Sequence, residues 1–245
     1  MNKGFTKLEI ILVGVILLIA VGFMAKAQIS NPTGEINQTP TKNIGLCTRT
    51  TPYDNPPEFT RAISLVNQRY VEAKLPGAID ESISNCIDIQ YTDLSNKEAE
   101  GYFIFDPNSS TNDLKIYVDN SYKSYDDILT ALLLSHELKH VQQFIDYKTK
   151  GTDVSCFDKE IEAFSWQFGF LTDLNAEERK SLYNRISYNP NINNAYAMTW
   201  QLIQLYNNTN DCSNENTCVG GSTMQQLKNM VINNPFYQKQ CADSQ

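Results

Sequence analysis

The chain holds only two histidines in 245 residues, His136 and His140, so no centre built on three imidazoles can be assembled from it. Its six cysteines include no C-x-x-C pair, which removes the usual spacing of a cysteine-ligated zinc. Basic residues are sparse as well: 20 Lys and Arg stand against 28 Asp and Glu, a net charge of −8, with Lys139, Lys148 and Lys150 as local exceptions. A nucleic-acid partner needs a concentrated basic face, so that class of function is excluded. An acidic balance is ordinary for an exported protein and says little about substrate. No internal repeat is present.

What the two histidines offer is spacing. His136-Glu137-Leu138-Lys139-His140 reads H-E-x-x-H. On a helix the i, i+4 separation stacks both imidazoles on one face, within reach of one zinc, and Glu137 projects about 100° round from His136. Two histidines placed at random take this arrangement, with Glu beside the first, on the order of once in a few thousand such chains. The competing reading is a pair of exposed helical histidines. A catalytic zinc uses three protein ligands and leaves one position open, so a third ligand is the next requirement.

The region after His140 supplies a candidate. Phe157 to Leu171 carries Ile161, Phe164, Phe168 and Leu171 at spacings of three, four and three, which predicts a helix with one buried stripe. Glu160, Ala163 and Gln167 form an adjacent stripe, where a small residue beside a carboxylate allows close approach to a metal. Glu162 and Asp158 are fallback ligands. The alternative for Glu160 is a solvated first-turn acid favoured by the helix dipole.

H-E-x-x-H followed about 20 residues later by Glu160-Ile161-Glu162-Ala163 resembles the gluzincin metallopeptidases, the thermolysin-like class with two His and one Glu on zinc. The resemblance spans residues near 125 to 172. It implies His136, His140 and Glu160 as zinc ligands and Glu137 as general base. The chain departs from the family at Phe164, where many gluzincins place an Asp that holds a zinc-bound His. A metzincin would need a third His. The expected chemistry is hydrolysis of a peptide or protein substrate: zinc activates water and polarises the scissile carbonyl while Glu137 moves the proton. With no His left over to steady the oxyanion, Tyr183, Tyr188, Tyr196 and Arg185 are the residues to inspect.

At the N-terminus, Gly4-Phe5-Thr6-Lys7-Leu8-Glu9 precedes an apolar run from Ile10 to Ala25. This resembles a type IV prepilin leader, which implies cleavage after Gly4, a mature N-terminus at Phe5, Glu9 at the fifth mature position, and a pilin-like assembly as a potential partner. Ala25-Lys26-Ala27 offers a second reading, a secretory signal cut before Gln28; Leu8 to Ala27 is also long enough for an uncleaved transmembrane anchor. All three export the remainder, with Lys3 and Lys7 holding the N-terminus inside. Cys47, Cys86, Cys156, Cys212, Cys218 and Cys241 are an even set, which in an exported chain favours up to three disulfides. Cys212 with Cys218, bracketing a short polar loop, is the first pair expected, and a crosslink at Cys156 would brace the Glu160 helix.

The chain therefore divides into a leader and transmembrane helix (1–27), an Asn-, Thr- and Pro-rich tether (28–57), and one domain (58–245). Within the domain the pattern predicts a helix over Glu58 to Ala73 and strands near Ile87 to Tyr91, Gly101 to Phe105 and Leu114 to Val118, the last two separated by a turn at residues 106–110. The zinc-motif helix follows, capped by Ser124 with Asp127 and running to Tyr147; Asn175 with Glu178 opens another, and two more cover Asn193 to Tyr206 and Ser222 to Ile232. The expected class is α+β, mainly helical and zincin-like, with a small sheet before the H-E-x-x-H helix. The functional expectation is a membrane-tethered, extracytoplasmic zinc metallohydrolase. Its rival is a pilin-like structural or adhesive subunit that performs no chemistry, and the retained Glu137 separates the two.

Overall fold

The computed structural model describes residues 47–72, 79, 81–97, 99–124, 127–187, 198–210 and 221–242, all within one compact unit, Ile44–Gln245. Helix α1 (Pro57–Glu72) and a single turn, α2 (Glu81–Ser84), precede a three-stranded sheet of β1 (Ile87–Thr92), β2 (Gly101–Phe103) and β3 (Leu114–Asp119). Then come α3 (Asp127–Lys150), α4 (Cys156–Asp173), α5 (Ala176–Ser187), α6 (Met198–Asn210), α7 (Gly221–Ile232) and α8 (Pro235–Ala242). The described part is thus α+β and mostly helical. Helices α2 and α8 were not expected from the pattern. Among the described residues no helix is long and apolar enough to cross a membrane, and the predicted leader and transmembrane segment, residues 1–27, lie outside them.

In the sheet the order is β1-β3-β2, with β1 parallel to β3 (Ile87 opposite Leu114) and β2 antiparallel to it (Gly101 opposite Val118). Leu114, Ile116 and Val118 alternate with partly exposed residues, the period-two signature of a sheet with one covered face. β2 ends at Phe103, short of the expected Phe105. Asp106 then builds the turn by accepting hydrogen bonds from the backbone N–H of Asn108 (2.8 Å) and of Ser109 (2.9 Å). Part of the predicted tether is fastened to the sheet. Cys47 is bonded to Cys86, and Asn55 donates to Ile87 O and accepts from Ile89 N.

The central element is α3. It is buried from Leu129 to Lys139 without a break, as a helix must be when neighbours cover it on every side. α1 packs along it, and Phe59, Val66 and Tyr70 join Ile89, Ile116, Leu132, Leu134 and Phe144 in one core. Each such apolar side chain contributes roughly 1.5–3 kcal/mol, which offsets the cost of enclosing the polar residues on the same helix. α3 runs to Lys150, three residues beyond the expected end, and stops where Gly151 takes φ 65° and its N–H bonds to Tyr147 O. The cap assigned to Ser124 lies outside the described side chains.

α4 begins one residue earlier than expected, behind an N-cap Ser155 whose Oγ accepts from Asp158 N at 3.2 Å. Its buried faces correct the predicted pattern. Ile161 and Phe168 are only half-buried, whereas Glu160, Ala163 and Gln167 are buried, Glu160 against His136 and His140 of α3 and Gln167 against Thr199 of α6. α4 also separates two cores: Phe170 and Leu171 pack with α3, while Phe164 joins Met198, Leu202, Leu227, Val231 and Tyr237. At the start of α5 the expected capping box forms, with Asn175 Oδ1 accepting from Glu178 N and Glu178 Oε2 accepting from Asn175 N, both at 2.9 Å.

Cys156, the first residue of α4, is bonded to Cys241 on α8. A crosslink of that reach contributes about 2–5 kcal/mol by shrinking the unfolded ensemble. The expected Cys212–Cys218 pair lies outside the described residues; among those described no cysteine is free.

Candidate metal centre

One helical turn of α3 sets His136 and His140 on the same face, and α4 presents Glu160 to both. His136 Nε2 lies 3.1 Å from His140 Nε2, and Glu160 Oε2 is 3.5 Å from the first and 3.6 Å from the second. Donors held tetrahedrally at zinc distances of about 2.0–2.2 Å must be about 3.3–3.6 Å apart. The triangle is therefore close to one face of a tetrahedron, with a fourth corner left over. Two imidazoles and a carboxylate suit zinc by donor type. No further Cys, His or carboxylate joins this group among the described residues.

The two fallback ligands face elsewhere. Glu162 is exposed and pairs with Lys139 Nζ at 2.8 Å, and Asp158 is held at the helix cap by Ser155 Oγ at 2.6 Å. Glu160, by contrast, is 6% exposed, which sets aside the solvated first-turn reading. It is also oriented. Gln240 on α8 donates from Nε2 to Glu160 Oε1 at 2.9 Å, leaving Oε2 for the histidines.

Burial and charge oppose each other across this group. Burial alone would raise the Glu160 carboxyl, yet the charge of His140 and hydrogen bonds from both imidazoles hold it well below the usual range. Burial likewise pulls the His140 imidazolium down, but the Glu160 charge and hydrogen bond, with Glu137 and Gln143, carry it up to about 9. His136 is pushed down, chiefly by burial. Metal binding at this group must release whatever proton the imidazoles share with Glu160.

The outer partners differ between the two rings. His140 Nδ1 lies 2.8 Å from Gln143 Oε1. His136 Nδ1 is buried without a hydrogen-bond partner among the described residues, and Phe164 packs on its ring with centroids 4.2 Å apart. Phe164 thus sits against the imidazole whose Nδ1 has no partner among the described residues.

Glu137 is buried beside this triangle, at the foot of β2. Burial foremost raises its carboxyl to about 7, while the backbone N–H of Phe103 stabilises the charged form. Gly101 leaves the room for it. A Cβ there would come within 2.5 Å of Glu137 Oε1 and 2.9 Å of its Cδ.

α8 supplies what the sequence reading missed. Besides Gln240 it carries Tyr237, buried against Phe164, whose hydroxyl is pushed well above 10 by burial first and then by the negative charge of Glu160, Glu137 and Glu100. Of the four residues singled out for inspection as oxyanion partners, Tyr183 stacks on Trp200 and Arg185 is bonded through Nε to Ser181 O, while Tyr188 and Tyr196 lie outside the described residues. The available signal was Asn234-Pro235: Asn234 Oδ1 caps the helix by accepting from Phe236 N at 2.9 Å, and Pro235 takes its first position.

No protein-family model matches this chain. Comparisons with curated proteins and with solved structures return no match either. The chemistry rests on the donor geometry.

Proposed function

We propose that this chain is a zinc-dependent metallohydrolase of the gluzincin type, a peptidase tethered to a membrane with its domain outside the cytoplasm. The observation that carries it is the donor triangle of His136, His140 and Glu160, close to a tetrahedral face, with the buried carboxylate of Glu137 beside it. Zinc held there would supply Lewis acidity to a substrate carbonyl and to water. The two histidines and Glu160 bind; Gln240 keeps Glu160 Oε2 turned inward. A carboxyl raised to about 7 by burial suits Glu137 to take a proton at neutral pH and pass it to a leaving amine. Tyr237, its phenol kept protonated by burial and neighbouring carboxylates, is suited to donate a hydrogen bond to a developing oxyanion. Two disulfides support an oxidising compartment. The resemblance of Gly4 to Glu9 and the apolar run from Ile10 to Ala25 to a prepilin leader supports retention in the membrane.

The test uses the full chain. One zinc per molecule and hydrolysis of an unfolded protein, abolished by a chelator and restored by zinc, are expected. A zinc-loaded chain inactive across a broad peptide library would favour the structural or adhesive subunit. Tyr237→Phe is expected to lower kcat by about 100-fold with zinc content unchanged, the scale of losing one oxyanion donor. Gly101→Ala is expected to lower hydrolysis about 10- to 100-fold with little change in unfolding temperature. The atoms its methyl would strike first belong to the Glu137 carboxylate, a mobile side-chain end, so the base moves and the fold stays.

A further inference from the structure

Gln143 follows His140 by three residues on α3, and its side chain bridges to α4. Its Nε2 donates to Lys159 O at 3.0 Å and to Glu162 Oε2 at 2.9 Å, while Oε1 meets His140 Nδ1 at 2.8 Å. Both amide hydrogens are therefore taken by oxygens. Turning the amide over would press its oxygen against a carbonyl and a carboxylate at once, so the orientation is dictated by the network. The network is itself anchored. Lys139 Nζ holds the other oxygen of Glu162 at 2.8 Å and lies over the Trp166 ring, 4.5 Å from its centroid.

An amide oxygen can only accept. The ring nitrogen opposite it must therefore carry a hydrogen, which leaves Nε2 as the nitrogen able to offer a lone pair toward His136 and Glu160. We propose that Gln143 is a positioning residue for metal binding, its oriented amide fixing the proton on Nδ1 of His140 and so presenting Nε2 to the ion. This rests on the metal reading above. It also accounts for how the site manages without an acidic residue at position 164: one imidazole is oriented by a neutral amide from its own helix, and the other is wedged by Phe164.

The experiment measures zinc affinity of the full chain by competition with a chromophoric chelator, for the parent, Gln143→Leu and Gln143→Glu. Gln143→Leu removes the acceptor and should weaken zinc binding about 10- to 100-fold, the range for losing an outer partner. Gln143→Glu keeps an acceptor for His140 but loses both donors to α4 and faces Glu162; it should bind zinc no more weakly than the parent, since a carboxylate partner raises imidazole basicity. If Gln143 were only a strut between α3 and α4, Gln143→Glu would be impaired at least as much as Gln143→Leu, and that result overturns the proposal. Nitrogen-15 NMR gives a second readout in a chain with two imidazoles. The His140 Nδ1 hydrogen should exchange slowly in the parent and the Glu variant and be lost to exchange in the Leu variant. Detecting the slow hydrogen on Nε2 instead would overturn the assignment. A parent that takes up no zinc removes the metal reading itself, a result distinct from parent-like zinc affinity in Gln143→Leu, which removes only the role of Gln143.

Discussion

Glu137→Gln is expected to lower hydrolysis of an unfolded protein by at least ~100-fold, the scale of a general base, while zinc content and unfolding temperature stay close to the parent's. The substitution keeps the side chain's shape. Its carbonyl oxygen can still accept from Phe103 N–H and still fits the space over Gly101. What it loses is the ability to take a proton. Because burial has raised the carboxyl to about 7, the parent's base is poised near neutrality, and the amide has no equivalent state. Steady-state rates with metal analysis on the same samples check this. Equal activity in parent and variant would remove Glu137 from the mechanism.

Glu160→Gln is expected to weaken zinc binding by more than ~100-fold, beyond the range for loss of an outer partner, because it removes one of three donors. Its volume and its bond to Gln240 can be kept, which separates lost ligation from lost folding. The variant also loses the charge that holds a proton on His140, so His140 should titrate at lower pH in the metal-free variant. Asp158→Ala is the control: Asp158 serves the α4 cap and should leave zinc affinity unchanged. Competition with a chelator reads both. An affinity for Glu160→Gln equal to the parent's would point to a different third donor.

Much of the centre was legible because its information is local. His136 and His140 are joined by one turn of helix, and the stripe of Glu160, Ala163 and Gln167 needs only the helical period to place a carboxylate on one face. The Asn175 and Glu178 box at α5 was readable for the same reason. Non-local pairings were not. The parallel contact of β1 with β3 joins segments with β2 between them, and the bond from Cys156 to Cys241 closes over 85 residues; neither leaves a periodic trace. Helix α8 escaped because its eight residues show no clear apolar stripe and its place is set by tertiary contacts. Tyr237 and Gln240 share that illegibility, since both are carried by α8. The burial of the polar stripe on α4 was hidden too, since a pattern shows which residues share a face but not which face meets a neighbour.

The bond between α4 and α8 also changes what a backbone cut can do. Glu160 lies just inside one end of the loop it closes and Gln240 just inside the other, so a single cleavage between Glu160 and α8 does not part them. Both pieces stay covalently joined at the base of α4, within reach of re-forming the contact between amide and carboxylate. The wall of the site is thus secured by topology as well as by packing.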